Sequence, residues 1–131
     1  MIAFVYAGQG SQKVGMGRDL YEAYPAFRAV FDSAPVDFDL KSLCFEGPEE
    51  RLNRTRYTQP CLLAFAIGVT RLLYDRGIRP QAAAGLSLGE YSALYAAGVL
   101  DEKTAIKTVS LRGRAMEEAA GNLSCGMTAV L

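Results

Sequence analysis

The chain has no histidine and no tryptophan among its 131 residues. Without histidine it lacks the side chain that most often acts as a general base near neutral pH, and also the commonest metal ligand. Cysteine is scarce. Cys44, Cys61 and Cys125 are far apart in sequence and form no CxxC pair. With no imidazole to complete a set, a zinc site is not expected, and reduced thiols in a reducing compartment are. There is no charge excess either, with 14 basic against 14 acidic residues, which argues against a nucleic-acid partner. The densest basic stretch, "RLNRTR" at 51–56, reads as a solvated surface. Long apolar runs are absent. "CLLAFAIGV" at 61–69 falls far short of a membrane span, and "MIAFVYAG" lacks the basic flank of a signal peptide. The expectation is a soluble, cytoplasmic protein with no membrane partner and no metal.

What the chain does have is a half-apolar composition, enough for one core. "IAFVY" (2–6) reads as a buried strand ending in a glycine loop. In "GRDLYEAYPAFRAVFDSA", Leu20, Tyr24, Phe27 and Phe31 recur at helical spacing, and Pro25 should open a second helical segment after a break at Tyr24. Residues 33–47 read as a loop. "PEERLN" reads as a short helix opened by Pro48, and "QPCLLAFAIGVTRLLYDRG" as a deeply buried helix ended by Gly77. "IRPQAAAGLSL" (78–88) suits a central strand of small residues, with a helix starting directly after Ser87. Asp101 or Thr104 can cap the next helix, which Gly121 stops, and "CGMTAVL" (125–131) looks like a strand just begun. Such alternation predicts an α/β fold with a parallel sheet. Two strands and a stub are too few for an open α/β domain, so the chain reads as the front part of something longer and is expected to be poorly soluble alone.

"AGLSLGEY" (84–91) carries the chemistry. Gly85, Ser87 and Gly89 form G-x-S-x-G. In that pattern a sharp strand-to-helix turn exposes the serine hydroxyl, and the glycines let strand and helix pass closely. The Leu88 N–H, at the new helix's start, then faces the place where an oxyanion forms. The bland alternative is a tight turn around a buried serine. The other glycine loop, "AGQGSQKVGMG", is not a dinucleotide fingerprint, because Lys13 stands where the third glycine belongs; nor is it a Walker loop, because Met16 replaces the lysine. It is either an ordinary glycine turn or a device that brings the Gln9 backbone close to a reacting centre as a second oxyanion donor.

Four collinear segments, "YAGQGSQKVGMG", "NRTRYTQPCLL", "GLSLGEYSALYAAGVL" and "LRGRAMEEA", together resemble the malonyl-CoA:acyl carrier protein transacylase family over nearly the whole chain. The resemblance implies an α/β-hydrolase-like parallel-sheet core with a serine elbow, cut at the start of an inserted ferredoxin-like subdomain. Residues 1–124 would belong to the core and 125–131 to the subdomain. It implies that Ser87 takes the malonyl group from coenzyme A as an ester and passes it to acyl carrier protein, in fatty acid or polyketide synthesis. The N–H groups of Gln9 and Leu88 resemble the oxyanion hole. Arg112 falls where the family binds the malonyl carboxylate, a task that suits a planar guanidinium, and Arg114 is its rival on the same helix. Gln59 is similar to a site-lining glutamine. No permanently bound cofactor is implied; malonyl-CoA is a substrate. Leu86 stands where many members have histidine, and Ala7 where proline is frequent. The family's general base is a distant histidine, beyond residue 131. The alternatives are a non-catalytic form that binds coenzyme A or a carrier protein, and a serine hydrolase.

Overall fold

A computed structural model describes residues 1–121. The strand expected at 125–131, and the domain boundary drawn before it, lie outside the described residues. The element order is β1 (Ala3–Tyr6), α1 (Arg18–Ala23), α2 (Pro25–Asp32), α3 (Leu40–Glu46), α4 (Glu49–Leu52), α5 (Thr55–Asp75), β2 (Ala82–Gly85), α6 (Gly89–Ala96) and α7 (Glu102–Ala120). The two strands pair in parallel, Ala3 opposite Ala82 and Tyr6 opposite Gly85. The fold is therefore α/β with a small parallel sheet.

The helix signals resolve as physics requires. Tyr24 is extended (φ −128°, ψ 112°) and Pro25 begins α2, so the break falls where proline forces it. Asp101 caps α7, its Oδ1 accepting from the Thr104 N–H at 2.9 Å and its Oδ2 from the Thr104 hydroxyl at 2.7 Å. Gly121 follows α7 in a helical conformation (φ −64°), so that end needs no left-handed glycine. Within α5, Pro60 has no N–H to offer the Arg56 carbonyl.

Two expectations need correction. Residues 33–47 are not all loop, since Leu40–Glu46 forms α3. Asp39 caps it through a 2.9 Å bond from the Ser42 N–H, and Leu40, Leu43 and Cys44 bury one face. Nor is β1 wholly buried. Phe4 and Tyr6 turn toward α5, where the Tyr6 hydroxyl lies 2.8 Å from Thr70 Oγ1 and the Phe4 ring stacks on Tyr74 at 6.4 Å. Val5 faces the other way and is 80 % exposed, because among the described residues no element covers that face.

The core lies between α5 and its neighbours α2 and α7, where Phe27, Val30, Leu63, Ile67, Ile106 and Val109 are fully buried. Each such side chain contributes on the order of 1.5–3 kcal/mol. A Cβ at Gly68 would fall 2.5 Å from the Phe27 ring, so α2 crosses α5 at a glycine. A Cβ at Gly113 would lie 2.9 Å from the Thr55 carbonyl oxygen, so α7 presses on the first turn of α5. Glu117 ties the same turn, accepting from the Arg56 N–H at 3.1 Å and pairing with Arg54. Cys44 and Cys61, distant in sequence, meet in this core as free thiols. Their mutual hydrogen bond, reinforced by burial, pushes the Cys61 thiol well above its ordinary range.

Candidate active site

The turn from β2 to α6 leaves almost no room. A Cβ on Gly85 would stand 2.0 Å from the Gly89 carbonyl carbon and oxygen, and one on Gly89 would stand 2.4 Å from the Tyr6 carbonyl oxygen. Both neighbours are backbone, so only glycine fits at either place. The chain closes the turn with Leu86 N–H to the Tyr6 carbonyl (3.1 Å), Gly89 N–H to the Leu86 carbonyl (2.9 Å) and Glu90 N–H to the Ser87 carbonyl (3.1 Å). Ser87 is held at φ 53°, and it is the one non-glycine residue with positive φ among the described residues. Left-handed backbone at a serine is strain of about 1–3 kcal/mol that the surrounding structure must maintain. Its side chain is exposed, which argues against a buried serine in a plain turn.

The sequence-derived residues converge unevenly. Leu88 is buried (2 %) while its N–H, preceding the first turn of α6, has no hydrogen-bond partner among the described residues. The Gln9 N–H is likewise unpartnered, and the Gln9 side chain donates to Thr55 Oγ1 at 3.1 Å. The loop bearing Gln9 abuts the elbow, since a Cβ on Gly8 would be 3.0 Å from the Leu86 carbonyl oxygen. Arg112, 25 residues beyond the serine, reaches across from α7 and donates from Nη2 to Ser87 Oγ at 3.1 Å. Arg114 instead points at Asp37, 3.5 Å away. Gln59 is buried (1 %); its Nε2 meets Met116 Sδ at 3.3 Å and its Oε1 has no partner among the described residues. Met116 lies one turn along α7 from Arg112, so Gln59 borders the same helix face.

Two neighbours of the site went unrecognised in the sequence. Tyr91 sits under the Arg112 guanidinium, 5.6 Å from ring centroid to Cζ, and Met116 contacts Gln59. The signal for Tyr91 is its place in the first turn of the helix that follows the serine elbow.

The chemistry open to this arrangement is narrow. An exposed serine stands beside a cation and just before the Leu88 N–H, which is unpartnered among the described residues, a setting that favours a negative charge developing on oxygen. Arg112 cannot act as the base, because guanidinium does not give up its proton in a protein. Lys13 is exposed and lies on the rim of another cavity. That cavity, of about 700 Å³, runs between β1 and α5 and is lined by Phe4, Leu62, Phe65, Val69 and Leu73 rather than by Ser87 or Arg112. Among the described residues no His, Cys, Asp or Glu cluster has the arrangement of a metal site, and no helix is long and apolar enough to cross a membrane.

Comparison with known proteins points to one family. Residues 3–130 match the family model described as acyl transferase domain. The chain is 48 % identical over 132 aligned residues to the malonyl CoA-acyl carrier protein transacylase of Bacillus subtilis (strain 168), an alignment covering 99 % of this chain and 42 % of that protein. The crystal structure of MCAT from Streptococcus pneumoniae superposes with a TM-score of 0.85 at 50 % identity, covering 89 % of this chain and 39 % of that one. A malonyl-transacylase solved in complex with a type II PKS acyl-carrier protein gives 0.85 at 48 % identity, with the same coverage. The chain thus spans about two fifths of the length of the curated relatives it matches.

Proposed function

The chain belongs to the acyl transferase domain family, and on that footing we propose that it carries the nucleophile half of a malonyl-CoA:acyl carrier protein transacylase. The observation that carries the reading is the 3.1 Å bond from Arg112 Nη2 to Ser87 Oγ. It puts a guanidinium in direct contact with a strained, exposed hydroxyl, so that the cation need only draw back to meet the free carboxylate of a three-carbon acyl group carried on Ser87.

In this reading the Ser87 oxygen attacks the thioester carbonyl of malonyl-CoA. The carbonyl oxygen takes the negative charge and is met by the N–H groups of Leu88 and Gln9. The carbon–sulfur bond breaks, coenzyme A leaves as the thiol, and a malonyl ester remains on Ser87. The thiol of the carrier protein's phosphopantetheine arm then attacks that ester, and Ser87 recovers its proton. Arg112 holds the free carboxylate throughout. An acetyl group would leave it without a partner, which discriminates strongly in a partly buried site. Gln59 lines the wall beside Arg112. The base is a histidine outside these 131 residues, as the family resemblance implies. The same reading makes residues 1–124 part of an α/β-hydrolase-like core, with a ferredoxin-like subdomain beginning near 125. It needs no permanent cofactor and belongs to cytoplasmic fatty acid or polyketide synthesis.

The test is transfer of malonyl from coenzyme A to holo carrier protein by the native protein, compared with Ser87→Ala and Arg112→Ala. Ser87→Ala should abolish transfer. Arg112→Ala should lose malonyl transfer by on the order of 100-fold or more while acetyl transfer is spared. Intact transfer by Ser87→Ala sinks the proposal. Release of free malonate to water without any transfer would favour a hydrolase instead.

A further inference from the structure

Arg112 is held at two points. One is the Ser87 hydroxyl, at 3.1 Å from Nη2. The other is the face of Tyr91, with Cζ 5.6 Å from the ring centroid. Ser87, at the turn before α6, and Tyr91, in its first turn, both contact the one guanidinium. The two contacts differ in what happens to them during acyl transfer. The hydroxyl contact weakens once Ser87 is acylated, because its oxygen is then an ester oxygen, a poorer acceptor than a hydroxyl. The ring contact does not depend on the state of Ser87. No carboxylate pairs with Arg112 among the described residues, whereas Arg54, Arg71 and Arg114 each have one. The ring is therefore the lasting anchor of this cation in the described structure.

We infer that Tyr91 is a positioning residue for the acyl-transfer site: its ring holds the Arg112 guanidinium in place across both halves of the reaction and so sets discrimination for a carboxylated acyl group. The inference rests on the transacylase reading. It concerns the aromatic face and not the hydroxyl, for which no hydrogen bond is found among the described residues. A cation over an aromatic face contributes in the range that corresponds to roughly two- to thirtyfold in binding. Tyr91→Leu, which removes the ring, should raise KM for malonyl-CoA within that range and leave kcat nearly unchanged. Tyr91→Phe, which keeps the ring, should restore KM.

The experiment uses the native protein with Tyr91→Leu, Tyr91→Phe and Arg112→Ala. Each is given malonyl-CoA and acetyl-CoA in equal mixture, and the two seryl esters are resolved by mass. Their ratio does not depend on how much protein is folded, so a destabilised variant still reports. The expected result is a malonyl preference that falls severalfold in Tyr91→Leu, returns in Tyr91→Phe and collapses in Arg112→Ala. If the preference collapses in Arg112→Ala but is unchanged in Tyr91→Leu, or is lost equally in Tyr91→Phe, the inference about the ring is overturned and the transacylase reading stands. If Arg112→Ala also keeps the preference, the assignment of Arg112 itself has failed, and the inference falls with it.

Discussion

Gly85→Ala tests the elbow at its tightest point. The added Cβ falls 2.0 Å from the Gly89 carbonyl carbon and oxygen and 2.4 Å from the Glu90 nitrogen. Comfortable heavy-atom contact lies near 3.5 Å, so β2 and the first turn of α6 must separate by about 1.5 Å. Overpacking costs about 1–3 kcal/mol where side chains can move aside. Here every neighbour is backbone already committed to the turn, so about 3 kcal/mol is the low end. With a urea m-value of about 2 kcal/mol/M, the unfolding midpoint should drop by about 1.5 M. Gly77→Ala is the control. It has φ 73° and nothing within 4 Å of its would-be Cβ. Only the left-handed backbone is penalised there, by about 1–2 kcal/mol, and the midpoint should fall by less than about 1 M. Equilibrium urea unfolding of the native protein and both variants decides the matter. A Gly85→Ala midpoint within about 0.3 M of the native value would refute the claim that close backbone passage requires glycine.

Acid should expose the two helix caps. The Ser42 N–H bonded to Asp39 and the Thr104 N–H bonded to Asp101 hold both carboxyls below their ordinary range. A depressed folded-state pKa means that the unfolded chain binds protons first. The stabilisation is thus complete above the usual carboxylate range and disappears as pH falls through the folded-state values. The thermal midpoint should decline from about pH 4 downward, and an Asp39→Asn/Asp101→Asn double variant, which caps without titrating, should flatten part of that decline. An unaltered acid slope would contradict the assignment. Gln59→Leu separates function from stability. Removing a buried oxygen without a partner should leave stability equal or higher by about 1 kcal/mol, while malonyl transfer slows. A clear loss of stability would mean that the amide has a structural task.

The elbow was legible because its requirements are local. A five-residue pattern states where glycine is compulsory and which side chain is displayed, and Gly85, Ser87 and Gly89 meet those conditions in space. The helix break at Pro25 was legible for the same reason. By contrast, α3 was obscured by the proline and acidic residues before it, although Asp39, the Leu40–Leu43–Cys44 spacing and Gly47 together spell a capped helix. Exposure of Val5 was not legible, since an apolar run cannot say whether both faces of its strand are covered. The resemblance favoured Arg112 over Arg114, but where each points needed the fold: Arg112 meets Ser87 and Arg114 meets Asp37. Tyr91 was hidden because its value lies in a partner 21 positions away.

The most direct test of the central claim is to ask whether Ser87 becomes acylated. The native protein would be mixed with malonyl-CoA, quenched in acid before transfer, digested and mapped by mass. The account predicts a malonyl increment on the peptide spanning the serine elbow, localised to Ser87, and lost when holo carrier protein is added before the quench. An unmodified Ser87 peptide at saturating malonyl-CoA, or an increment on another residue, would contradict it.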